Sequence, residues 1–96
     1  MTQSELLEEL AHLKSDLRQQ FGIEEIALFG SYARGEAKEE SDIDIAILKM
    51  DFKSGFSIVN AKRYLEENLK KSVDIGTFKS MKTFIKNRIK KDFIYV

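Results

Sequence analysis

Ninety-six residues, 43% of them apolar, with no proline and five glycines, are enough for one compact domain and too few for two. Cysteine is absent and histidine occurs once, which excludes a disulfide framework, a thiolate zinc site and a histidine-built metal centre. The formal net charge is zero, but residues 1–51 carry 5 basic and 12 acidic side chains while residues 52–96 carry 11 and 4, a polarity suited to orienting a charged ligand or partner.

The chain opens with Leu6, Leu10, Leu13, Leu17 and Phe21 on one stripe of a helix, with Thr2 and Glu5 as a capping box and Gly22 as its stop. His12 falls opposite that stripe, in solvent. With Glu5, Glu8 and Glu9 among the leucines the N-terminus lacks a targeting pattern, and no apolar run is long enough to span a bilayer, so a cytoplasmic location with no membrane partner is expected. Ile23 to Phe29 is a strand that stops at Gly30. A short helix is expected over Ser31 to Ala37, with Ser31 at its N-cap or first turn and a break at Gly35.

Asp42 to Leu48 alternates in strand fashion, Ile43, Ile45 and Ile47 to one face, Asp42, Asp44, Ala46 and Leu48 to the other. Lys49 to Gly55 reads as a loop, Phe56 to Leu69 as a helix carrying Ile58, Ala61, Leu65 and Leu69, and Val73 to Phe78 as a third strand with Asp74 opposite Val73 and Ile75. A strand, a helix of about four turns and a strand form a right-handed parallel crossover, which sets Asp74 beside Asp42 and Asp44 on one sheet face. Ser80 is placed to cap a last helix with Met81, Phe84, Ile85 and Ile89 inward, and Phe93 to Val96 fits an edge strand. The expected fold is therefore α/β (α+β): a small mixed sheet of three to four strands with helices packed on one face, in the order α-β-α-β-α-β-α.

Carboxylates two residues apart on one strand lie about 7 Å apart on the same face, within reach of one ion or a pair of ions. Their mutual repulsion favours a cation, and an oxygen-only donor set favours magnesium, with manganese as a substitute. Gly30 allows close backbone approach to a ligand, and Ser31 offers a hydroxyl and amides to an anion. The stretch is not a P-loop, because Glu36 stands where lysine is required, and not an EF-hand loop, because Ala46 replaces a third ligand. Lys82, Lys86, Lys90 and Lys91 lack interleaved exposed aromatics, so nucleic acid is not expected as a partner.

Gly30-Ser31, Arg34-Gly35, the run Ser41 to Ile47 and Val73-Asp74-Ile75 together resemble the polymerase-β-like nucleotidyltransferase superfamily, most closely its minimal nucleotidyltransferases, over nearly the whole chain. The resemblance implies that Asp42, Asp44 and Asp74 hold two magnesium ions and that Gly30 and Ser31, with Arg34 as an added contact, grip the phosphates of ATP or another nucleoside triphosphate. An ion pair of Arg34 with Glu36, Glu39 or Glu40 is the competing use of that side chain. Many such proteins are antitoxins paired with a helical HEPN-family toxin, and the resemblance implies transfer of AMP to a tyrosine hydroxyl on that partner. The alternative is a non-catalytic nucleotide-binding module that neutralises a partner by occupying it.

Overall fold

The computed structural model describes residues 1–51 and 57–96, so most of the expected loop after Lys49, and the helix start expected at Phe56, lie outside the described residues. Helix α1 (Gln3–Phe21) begins at the expected capping box: the Glu5 amide donates to Thr2 Oγ1 at 3.1 Å, and the Thr2 amide donates to Glu5 Oε1 at 2.7 Å. It ends where Gly22 turns left-handed at φ 69° and its amide donates to the Leu17 and Arg18 carbonyls. His12 is exposed, as its angular position requires.

Strand β1 (Ile23–Phe29) leads into the single turn of α2 (Gly30–Ala33), then β2 (Ile43–Met50), α3 (Ser57–Leu69) and β3 (Val73–Thr77). A 3₁₀ turn (Phe78–Ser80), α4 (Thr83–Lys90) and a two-residue β4 (Ile94–Tyr95) complete the fold. The sheet order is β3-β2-β1-β4, with β2 parallel to β3 and β1 antiparallel to both β2 and β4. Four strands, mixed direction and the parallel crossover through α3 match the sequence reading, and Phe93–Val96 yields the expected edge strand at Ile94–Tyr95.

One sheet face carries Ile43, Ile45, Ile47, Leu28 and Val73, packed under Leu6, Leu10, Leu13 and Leu17 of α1 and Ala61, Leu65 and Leu69 of α3. Burying each leucine contributes about 1.5–3 kcal/mol, which is why the two longest helices share that face. The Tyr64 hydroxyl ties them together by donating to Asp16 Oδ2 at 2.7 Å. On the other face the row Ala27, Ala46 and Gly76 is small, and the Phe93 ring packs against Phe29, Phe78 and Tyr95 at 6.2, 5.2 and 5.9 Å. Helix α4 borders this second face, with Lys86 Nζ 5.6 Å from the centre of the Phe78 ring.

Several boundaries differ from expectation for local reasons. Helix α2 stops at Ala33 because Gly35 at φ 73° closes it: the Glu36 amide reaches the Ser31 carbonyl and the Gly35 amide the Tyr32 carbonyl. Its N-cap is Phe29, so Ser31 lies in the first turn. Strand β2 starts one residue late, at Ile43, and runs to Met50, where pairing with Ile23 extends it. Strand β3 ends at Thr77, and Phe78 enters the 3₁₀ turn. Ser80 does not cap α4, because its hydroxyl is bonded to that of Thr77 and Lys82 occupies the N-cap. Phe84 is 66% exposed, leaving Ile89 as the buried residue of that helix.

Candidate active site

Parallel pairing of β2 and β3 sets Asp44 directly beside Asp74, in register with Ile43 beside Val73 and Ile45 beside Ile75. Adjacent strands lie about 4.8 Å apart, so the two carboxylates spring from neighbouring backbone positions on the face opposite the leucine core. Across the other edge of β2, Asp44 is paired with Phe29, the residue before Gly30. Backbone pairing thus brings the Gly30 turn and Asp44 together with Asp74, a residue from the later half of the chain.

Gly30 has a specific reason to be glycine. Its φ is +76°, and a Cβ built there would stand 2.1 Å from Asp44 Oδ2. The absent side chain is the space the carboxylate occupies. Ser31 follows in the first turn of α2, whose C-terminal carbonyls at Tyr32 and Ala33 accept from Gln3 Nε2 at 3.0 and 2.8 Å. Ahead of β2, the Lys38 amide donates to Ser41 Oγ at 2.8 Å and the Ser41 amide to the Lys38 carbonyl at 3.0 Å, a turn that delivers Asp42 to the start of the strand. The Ile43 amide then donates to the Ser72 carbonyl at 2.9 Å, aligning the leading ends of β2 and β3.

Burial, then the charges of Asp74 and Asp42, push the Asp44 carboxyl up from 3.8 to about 6, with Arg34 acting in the opposite sense. Asp42 and Asp74 themselves are exposed. The three do not close into a single ion shell: among the described residues no three His, Cys, Asp or Glu side chains stand together closely enough to hold a metal. Asp42 precedes the regular strand, so only Asp44 and Asp74 are set side by side by strand pairing. By chemistry the donor set suits a hard divalent cation, since it is all oxygen and its repulsion is what a cation relieves.

Arg34 is engaged by carboxylates. Its Nε donates to Glu36 Oε1 and its Nη1 to Asp92 Oδ2, both at 2.8 Å. These hydrogen bonds, Glu36 first, raise the guanidinium further above its ordinary value. The Glu36 pair was one of the sequence alternatives. Asp92 was missed, and its one signal is that it is the only acidic residue after Asp74. No helix among the described residues is long and apolar enough to cross a membrane.

The nucleotidyltransferase domain family matches residues 10–96. Protein adenylyltransferase MntA of Thermococcus cleftensis is 38% identical over 96 residues, covering 100% of this chain and 97% of that protein. Among solved structures, a minimal nucleotidyltransferase superposes with a TM-score of 0.77 at 26% identity, covering 98% of this chain and 95% of the other. A toxin–antitoxin crystallised with AMP-PNP gives a TM-score of 0.65 at 29% identity, over 81% of this chain and 61% of that one. With the family match spanning almost the whole sequence, and the fold and strand pairings in agreement with it, this chain belongs to the nucleotidyltransferase family.

Proposed function

We propose that the chain transfers AMP from ATP to a hydroxyl of a protein partner and silences that partner as its antitoxin. The observation that carries this reading is the Asp44–Asp74 cross-strand pair next to a glycine whose missing side chain leaves Asp44 its room. A relative at 38% identity named as a protein adenylyltransferase supports a protein acceptor, and a structural relative crystallised as a toxin–antitoxin with an ATP analogue supports the donor and the biological setting. A tyrosine of a HEPN-family partner is the acceptor, and the chain works in the cytoplasm.

Gly30 and Ser31 hold the β- and γ-phosphates, with Arg34 as a further contact, so that the α-phosphorus faces the carboxylates. Asp42, Asp44 and Asp74 hold magnesium, two ions by resemblance and manganese as a substitute. Magnesium characteristically takes one or two carboxylates and completes its shell with water and phosphate, which suits carboxylates that form no closed cage by themselves. When bound, the metal stabilises the attacking and leaving oxygens of an in-line displacement. Asp74, exposed on the sheet-edge strand, takes the acceptor's proton as the new oxygen–phosphorus bond forms and pyrophosphate leaves.

The test is to incubate the protein with ATP, magnesium and the protein encoded beside it, and to weigh the partner. A gain of one AMP unit is expected, and its loss in the Asp42→Asn/Asp44→Asn variant with the fold unchanged. No gain with any nucleoside triphosphate sinks the reading. A second reading, neutralisation by binding alone, is favoured by Lys79, Lys82, Lys86, Arg88, Lys90 and Lys91, none of them ion-paired among the described residues, beside an exposed Phe84. It predicts that the double asparagine variant still protects cells from the partner.

A further inference from the structure

We propose that Asp92 is a positioning residue of the nucleotide site: through Arg34 it fixes the turn that carries Gly30 and Ser31. The inference rests on the nucleotidyltransferase reading above and goes beyond it in assigning a role to the segment after α4.

Arg34 is the closing residue of α2. Its amide donates to the carbonyls of Gly30 and Tyr32, so displacement of its backbone opens the turn containing the proposed phosphate contacts. Of its two carboxylate partners, Glu36 is two residues away and moves with the turn. Asp92 is 58 residues away and supplies the external anchor. That anchor is itself braced, since the Asp92 amide donates to the Ile89 carbonyl at 2.9 Å and the Phe93 amide to the Lys90 carbonyl at 3.3 Å.

Two features separate this pair from an incidental surface contact. Lys90 and Lys91 are the cations next to Asp92 in sequence, both exposed, yet its carboxylate, 20% exposed, faces the distant Arg34. A second tie runs in parallel: the ring of Phe93, the next residue, packs at 6.2 Å on Phe29, which precedes Gly30 and lies opposite Asp44. Polar and aromatic contacts from adjacent residues therefore grip both ends of the Gly30–Arg34 turn. Arg34 Nη2 makes no hydrogen bond to a described residue, so the guanidinium can be held by its Nε and Nη1 while one nitrogen meets phosphate.

The sign of one measurement decides between positioning and competition. If Asp92 only competed with phosphate for Arg34, its removal would tighten nucleotide binding, because one negative charge near the triphosphate disappears. If it positions Arg34, removal loosens binding. Calorimetry with a nonhydrolysable ATP analogue and magnesium, alongside KM and kcat for AMP transfer to the neighbour-encoded partner, should compare wild type, Asp92→Ala, Asp92→Asn, Asp92→Glu, Arg34→Ala and the Arg34→Ala/Asp92→Ala double variant. We expect Asp92→Ala and Asp92→Asn each to weaken analogue binding and raise KM about three- to tenfold with kcat within about twofold, and Asp92→Glu to restore both. The Asp92 change should add nothing once Arg34 is alanine. Unchanged or tighter binding in Asp92→Asn, or an Asp92 effect that survives in the Arg34→Ala background, overturns the proposal. A wild-type protein that binds no analogue and modifies no partner overturns the nucleotidyltransferase reading as well, whereas a competent wild type with an indifferent Asp92→Asn overturns this inference alone.

Discussion

Gly30 concentrates two demands in one position. The left-handed φ of +76° disfavours any other residue by about 1–2 kcal/mol, and the Cβ would land on Asp44 Oδ2. Gly30→Ala is therefore expected to lower stability by about that amount, read from urea unfolding, and to cut transfer at least about tenfold, since the carboxylate must swing away from its place. Gly35, also left-handed at φ 73°, meets nothing within 4 Å of its would-be Cβ, so Gly35→Ala should show the backbone cost with a smaller loss of transfer. The contrast separates geometry at the site from strain in the chain. Both glycines stand out in the sequence as breaks after apolar or helical stretches, but the contact with Asp44 needs the antiparallel register to be visible.

Among the elements, α1 shows how far a local signal carries. Thr2 and Glu5 complete a capping box, and Gln3 of the same turn donates to the carbonyls ending α2, so the start of this helix supports the site turn. Thr2→Ala is expected to cost about 1 kcal/mol, seen as a fall in Tm of about 4–8 °C. The cap was legible because both partners lie within three residues. The strands were legible because a period of two, with aspartates set against isoleucines, admits one assignment of faces. Helix α4 was legible as a helix with Ile89 inward, but not in the rest of its inner face, because Phe84 and Ile85 are adjacent and lysines surround both, and Phe84 is exposed. Ser80 was misassigned for a related reason: a serine before a helix caps it only when no other hydroxyl claims it, and Thr77 does. The Arg34–Asp92 pair was out of reach, since no periodicity links residues 58 apart.

At the scale of the molecule, the charge polarity of the two sequence halves is partly dispersed by the fold. The acidic half supplies the two central strands, β1 and β2, and the basic half supplies the flanking strands β3 and β4 and helix α4. What remains concentrated is the carboxylate cluster, which costs folding free energy while no cation is present. The folded chain holds the Asp44 carboxyl at about 6 against an ordinary 3.8, so it binds that proton more tightly than the unfolded chain does. This contribution to stability is present below the unfolded value and is lost as pH rises through the folded one. After discounting for solvent around a half-exposed group, the loss is on the order of 1 kcal/mol. The difference in unfolding free energy between wild type and Asp44→Asn, followed by denaturant from pH 4 to pH 7 without metal, should shift by that amount in favour of the variant.

The sheet order also sets a timetable for assembly. Strands β1 and β2 are joined by the shorter connection, which contains the Gly-Ser turn and Asp42, with Asp44 on β2 itself. Their parallel neighbour β3 arrives only after the α3 crossover, and β4 must return across the breadth of the sheet to find β1. Closing longer loops costs more entropy, and such contacts form later on average. Pairing of β1 with β2 therefore precedes completion of the site, and competence to handle a nucleotide would be acquired only once Asp74 and Asp92 have been added and β3 and β4 have docked.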